Sequence, residues 1–112
     1  MRFSTSLIIL ASALSSSGAF AAGDPKAGEK ASAVCAACHG ADGNKGLDGT
    51  YPKLAGQYAD YLVKSLQDYR SGARVNAVMN GQAAILKDKD IEDIAAWYAS
   101  QKSELKDLHE FK

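Results

Sequence analysis

The sequence predicts an all-α domain of three main helices separated by glycine-rich loops. Three observations carry that prediction. Apolar residues recur at helical spacing in two segments, within 57–70 and 88–101. Asp24-Pro25 stands ahead of an alanine-rich stretch, with Asp suited to the N-cap and Pro to the first helical position. The alternation of apolar and polar residues that marks a strand is nowhere present.

In chain order, residues 1–21 read as a cleaved secretory signal peptide. Arg2 gives a positive start, Leu7 to Leu14 an apolar region, and Ala19-Phe20-Ala21 a small-x-small cleavage site. Ser12 and Ser15 to Ser17 interrupt the apolar region, which is shorter than the roughly 20 residues a membrane-spanning helix needs. Residues 22–112 then form a single domain. Its first helix is expected to run from Asp24 to Cys38. A loop follows, punctuated by Gly40, Gly43, Gly46, Gly49, Pro52 and Gly56 and long enough to wrap the edge of a bound group. From Gln57 to Arg70, Tyr58, Tyr61, Leu62, Leu66 and Tyr69 share one helical face, and Gly72 ends the pattern. Tyrosines at that spacing read as core, not as a radical relay. Residues 73–87 carry Met79 with little periodicity and read as a loop with one helical turn. The last helix is expected over 88–101, with Asp88, Asp90, Glu92 and Asp93 near its positive end and Ile91, Ile94, Trp97 and Tyr98 inward. The tail, 102–112, is mostly charged.

Chemistry enters with Cys35-Ala36-Ala37-Cys38-His39. The run C-x-x-C-H is the attachment site of a c-type haem. Two thiols three positions apart reach the two vinyl groups of one porphyrin edge, and the adjacent imidazole is carried under the iron as an axial ligand. Zinc is one rival reading. A structural zinc wants four ligands, yet the chain has 2 cysteines and 2 histidines, and Cys38 and His39 are neighbours that would share one tetrahedron. A thioredoxin-like redox pair is the other, and it would sit among βαβ units that the sequence does not contain. One copy of the motif means one haem. Its flat apolar body would complete a core that so short a chain supplies poorly.

For the second axial position, Met79 is the methionine left once Met1 departs with the signal. Its thioether is a soft, neutral iron ligand that favours the ferrous state. His109 is the competitor, in a charged tail where a solvated histidine is expected. An open iron, or ligation by Asn76, Asn80 or a lysine, completes the alternatives.

Export agrees with the haem motif, because c-type haem is attached outside the cytoplasm in bacteria; the expected location is the periplasm. The 13 basic side chains balance the 13 acidic ones, and loss of Arg2 tips the domain slightly negative. No basic patch suits nucleic acid. Steering toward partners must then come from local charges.

Taken together, these residues resemble a class I cytochrome c, close to the small bacterial monohaem c-553 type and to one half of the dihaem periplasmic cytochromes. The resemblance rests on Gly23-Asp24, Cys35 to Gly40, Asp42-Gly43-Asn44, Tyr51 to Gln57, Arg74-x-Asn76, Met79-x-Gly81 and Ile91 to Tyr98. It implies helices wrapped round the haem with the terminal helices crossing, Gly28 at the crossing and Trp97 or Tyr98 packed into it. It also implies that the Pro52 carbonyl meets the free ring nitrogen of His39, that Leu54 packs on the porphyrin and that Met79 is the distal ligand. This chain departs from the family pattern at Gln82, where some relatives carry another methionine, at Lys87, where a serine N-cap is usual, and in its longer tail.

A His/Met-ligated iron has no open position for substrate. The expected function is therefore one-electron transfer between redox protein partners, by a monomer that is not an enzyme. Small residues Ala36, Ala37, Gly40 and Ala41 leave the thioether edge near a docking partner, and Lys45, Lys53, Arg70 and Arg74 are candidate rim or propionate-pairing charges. Two alternatives are an electron-entry subunit of a larger periplasmic oxidoreductase and a haem sensor or enzyme with a displaceable sixth ligand.

Overall fold

The computed structural model describes residues 23–103. Five helices follow one another: α1 (Pro25–Ala31), α2 (Ala33–His39), α3 (Ala59–Ser71), α4 (Ala77–Ala84) and α5 (Asp88–Ser100). Among the described residues there is no strand.

The helix start at Asp24 is built as its residue types require. The Asp24 carboxylate accepts from the Lys26 N–H at 2.9 Å, and Pro25 occupies the first turn. The single helix expected up to Cys38 is instead two. Ser32 interrupts it, with φ −82° and ψ 2°. Its hydroxyl donates to the Glu29 carbonyl at 3.0 Å, a local bond that competes with the helical ladder and bends the chain. α3 begins two residues later than expected, so Tyr58 lies at its N-cap and is 73% exposed rather than core.

Residues 73–87 also differ from the expectation, because they contain the two-turn helix α4. Asn76 nucleates it: its side-chain oxygen accepts from the Val78 and Met79 N–H groups at 3.1 and 3.0 Å. At the start of α5, Lys87 stands at the N-cap without a side-chain cap, and the Asp90 carboxylate accepts from its N–H at 2.9 Å. That is the back half of a capping box, and it replaces the missing serine.

α1 packs most extensively on α5, and α3 packs on both α4 and α5. At the α1–α5 crossing a Cβ on Gly28 would overlap the Asp93 carbonyl and stand 2.8 Å from the Trp97 Cβ, so only glycine allows the helices this close. Asp93 locks the same crossing: it is 5% exposed, accepts from the Asp24 N–H at 2.8 Å and pairs with Lys89 at 2.7 Å. Hydrogen bonds from Lys89 first, and then from the Asp24 backbone, hold its carboxyl below the ordinary carboxylate range.

The core cluster joins Leu62 of α3 to Ile94, Ala95 and Tyr98 of α5, with Leu54, Leu66 and Trp97 against it. Tyr98 and Ile91 are the largest fully buried side chains among the described residues. A core this thin leaves α2 facing α3 and α4 across a gap.

Candidate functional site

Cys35 and Cys38 lie one turn apart on α2, so their thiols leave the helix on the same side, and His39 is its last residue. Both thiols are free and partly buried. Burial pushes the Cys35 thiol up, and Cys38 beside it adds to the shift, against a smaller opposing pull from a backbone hydrogen bond. A disulfide-exchanging or nucleophilic cysteine needs the reverse, a lowered pKa.

His39 is 6% exposed, and its Nδ1 lies 2.9 Å from the Pro52 carbonyl oxygen. A carbonyl can only accept, so Nδ1 donates, and in the neutral ring the lone pair lies on Nε2. The ring is also met edge-on by Tyr51, with centroids 6.2 Å apart. Nearby, the Leu47 N–H donates to the Cys38 carbonyl at 2.9 Å, tying the glycine-rich loop back onto α2 beside the imidazole.

These groups border a cleft of about 530 Å³, within the roughly 300–1,000 Å³ usual for cofactor sites. Its walls bring together Cys35, Cys38, His39, Pro52, Leu54 and Met79, the full set of site residues expected from the sequence. Val34, Tyr61 and Val78 line it too, although they are 58%, 52% and 55% exposed. Large apolar side chains gathered on a concave wall, with no protein packed over them, are what a flat apolar cofactor covers. Two thiols, an imidazole nitrogen, a thioether and apolar walls are the donor set and surface of a haem c pocket. The residues fit that group.

Tyr98 also borders the cleft, and its ring packs on Gly43, where a Cβ would stand 2.7 Å from the Tyr98 Cδ1. Its hydroxyl has no hydrogen-bond partner among the described residues. Burial above all, with the fields of Cys35 and Asp42 behind it, pushes the phenol up to about 12; the nearby Ser32 hydroxyl pulls the other way, but it donates to Glu29.

Of the four expected rim charges, Lys53 and Arg74 line the cleft and Lys45 does not. Arg70 is committed elsewhere, to the Leu86 carbonyl at 3.1 Å and the Asp88 carboxylate at 2.6 Å. The side-chain amides of Asn76 and Asn80, considered above as iron ligands, are both engaged with backbone groups. His109 lies outside the described residues, as do the signal segment 1–21 and residues 104–112 of the tail.

A cytochrome c family model matches residues 25–102. Cytochrome c4 of Pseudomonas aeruginosa is 51% identical over 84 residues, an alignment covering 75% of this chain and 41% of that protein. Cytochrome c-554(548) of Halomonas halodenitrificans is 51% identical over 83 residues, covering 71% of this chain and 99% of that one. The crystal structure of reduced recombinant cytochrome c4 from Pseudomonas stutzeri matches with a TM-score of 0.69 at 45% identity, over 75% of this chain and 48% of the other. The chain thus spans about half the length of the cytochromes c4 it matches, and nearly all of the shorter relative.

Proposed function

The chain belongs to the cytochrome c family and takes one covalent haem c, and from that premise we propose that it is an exported, soluble one-electron carrier with His39 and Met79 as the iron ligands. When bound, such a haem cycles between ferric and ferrous iron and so takes up or gives out one electron. The observation that carries the reading is the anchoring of His39: its Nδ1 stands 2.9 Å from the Pro52 carbonyl oxygen and donates to it, which fixes the ring and leaves Nε2 as the nitrogen that would face the iron.

The other residues follow from their places on the cleft wall. Cys35 and Cys38 provide the two thioether sulfurs from adjacent turns of α2. Leu54 is apolar packing beside Pro52. Met79 would supply a neutral sulfur from α4, and an iron held by His39 and Met79 would keep no site for substrate, which makes the protein a carrier rather than an enzyme. Its donor and acceptor are redox proteins that meet it transiently, at an interface of the small class. Residues 1–21 act as the export signal that delivers the chain to the periplasm, where it works as a monomer.

Visible spectra of the purified protein in both oxidation states test the reading. A low-spin c-type spectrum is expected, with haem that resists extraction into acidified acetone. Met79→Ala should give a high-spin or ligand-swapped ferric spectrum and a marked fall in reduction potential. An unchanged spectrum in that variant would remove Met79 as a ligand, and extractable haem would remove the covalent attachment at Cys35 and Cys38.

A further inference from the structure

We propose that Asn80 is the positioning residue for Met79: its carboxamide staples the α3–α4 connection shut and so fixes where the thioether stands. The proposal rests on the reading of Met79 as an axial ligand. Asn80 directs both of its amide hydrogens at backbone carbonyls, that of Tyr69 at 2.8 Å and that of Arg74 at 2.8 Å. Its oxygen accepts from the Asn76 N–H, also at 2.8 Å. The three partners come from three places, the last turn of α3, the connecting loop and the N-cap of α4. The amide can point only one way, since the reverse orientation would set its oxygen against two carbonyls.

This staple is tied directly to the ligand. Asn76, held by Asn80, uses its own side-chain oxygen to accept from the Met79 N–H at 3.0 Å. The Tyr69 carbonyl belongs to the last turn of α3, where helix geometry leaves carbonyls without partners, so Asn80 also completes the end of that helix. Arg74 closes the loop from its other side, with its guanidinium 4.8 Å from the centre of the Tyr69 ring.

Packing does little to hold the segment. Val75 is 86% exposed, and Ala83 is the one buried residue of α4. A segment with few buried contacts opens locally, without the rest of the fold, at a free energy set by its hydrogen bonds. Asn80 therefore sets how readily Met79 leaves the iron, while the α1–α5 and α3–α5 packing is untouched.

Holoprotein variants test this through competition for the sixth position. Imidazole is titrated into the ferric protein and its binding followed in the visible spectrum, with far-UV circular dichroism of the same samples to report the helices. Asn80→Ala removes all three bonds. Asn80→Asp keeps the acceptor for the Asn76 N–H and loses both donors. Each should bind imidazole at least about tenfold more tightly than the parent, because apparent affinity rises with the open fraction, and each should keep the parent's helical signal. Asn76→Ala keeps all three bonds of Asn80, because the Asn76 N–H is backbone, and removes the side-chain acceptor that links the staple to the Met79 N–H; it should give a smaller rise, and it carries the test of that link if the Asn80 variants do not fold. Imidazole affinity within twofold of the parent in every folded variant, with Met79→Ala raising it strongly, would overturn the role of Asn80 alone. If Met79→Ala itself leaves the affinity unchanged, the ligand assignment falls instead.

Discussion

Replacing Gly28 with alanine sets two opposing effects against each other, and the structure decides which wins. Alanine in the interior of α1 gains about 1 kcal/mol of helix propensity over glycine. Against that, the new Cβ would overlap the Asp93 carbonyl and stand 2.8 Å from the Trp97 Cβ, where ordinary carbon contacts need about 3.5–4.0 Å. α1 must move off α5 by about 1 Å. Overpacking of this kind costs about 1–3 kcal/mol, and the shift also stretches the 2.8 Å bond from the Asp24 N–H to Asp93, a further loss of about 1 kcal/mol. The net is a loss of about 1–3 kcal/mol, or a melting temperature lower by on the order of 5–20 °C for a domain of this size. Gly81→Ala makes the same chemical change inside α4, where nothing lies within 4 Å of the added methyl. There only the propensity gain remains, about 0.5–1 kcal/mol. Thermal unfolding of both holoproteins, followed at 222 nm, should show opposite signs. Equal gains at both positions would mean that α1 and α5 are not in contact at Gly28.

Two further substitutions probe groups around the cleft and the crossing. Tyr98→Phe deletes a buried hydroxyl that has no partner among the described residues, so it should raise stability by about 1 kcal/mol or leave it unchanged; a loss of 2 kcal/mol or more in denaturant melts would reveal a bond to that oxygen. Asp93→Asn tests the lowered carboxyl. A depressed folded-state pKa contributes stability that is present above the ordinary carboxylate range and lost as pH falls through the folded value. The melting temperatures of parent and variant should thus be well separated near neutrality and converge below about pH 4; a separation constant down to about pH 3 would show that the charge of Asp93 is not what stabilises the crossing.

The parts of the fold legible in the sequence are those whose side chains pack on other side chains. Ile91, Ile94 and Tyr98 recur at helical spacing because they pack against protein, and α5 could be placed to within a residue. Short local bonds did not announce themselves in the same way. Ser32 breaks the first helix through one hydroxyl-to-carbonyl contact, in a stretch of alanines that reads as continuous helix. α4 is two turns long with a single buried side chain, Ala83, too few inward positions to show a period. Asn76 was its one visible signal, an N-cap residue type three positions before Met79.

The cleft explains the remaining difference. Helical periodicity records burial against protein, whereas Val34, Val78 and Met79 present apolar surface to a space that protein does not fill. Their spacing follows the outline of a cofactor, so it carries no helical stripe. The motif at Cys35 to His39 is legible for the opposite reason: thioether and axial geometry demand fixed residue types at fixed separations. A chain organised in this way shows its chemistry in a few strict positions, and it hides the elements that hold those positions in place. Asn80 belongs to the second group. It is a polar residue on a helix of two turns, and its three partners are all backbone groups, which no sequence pattern displays.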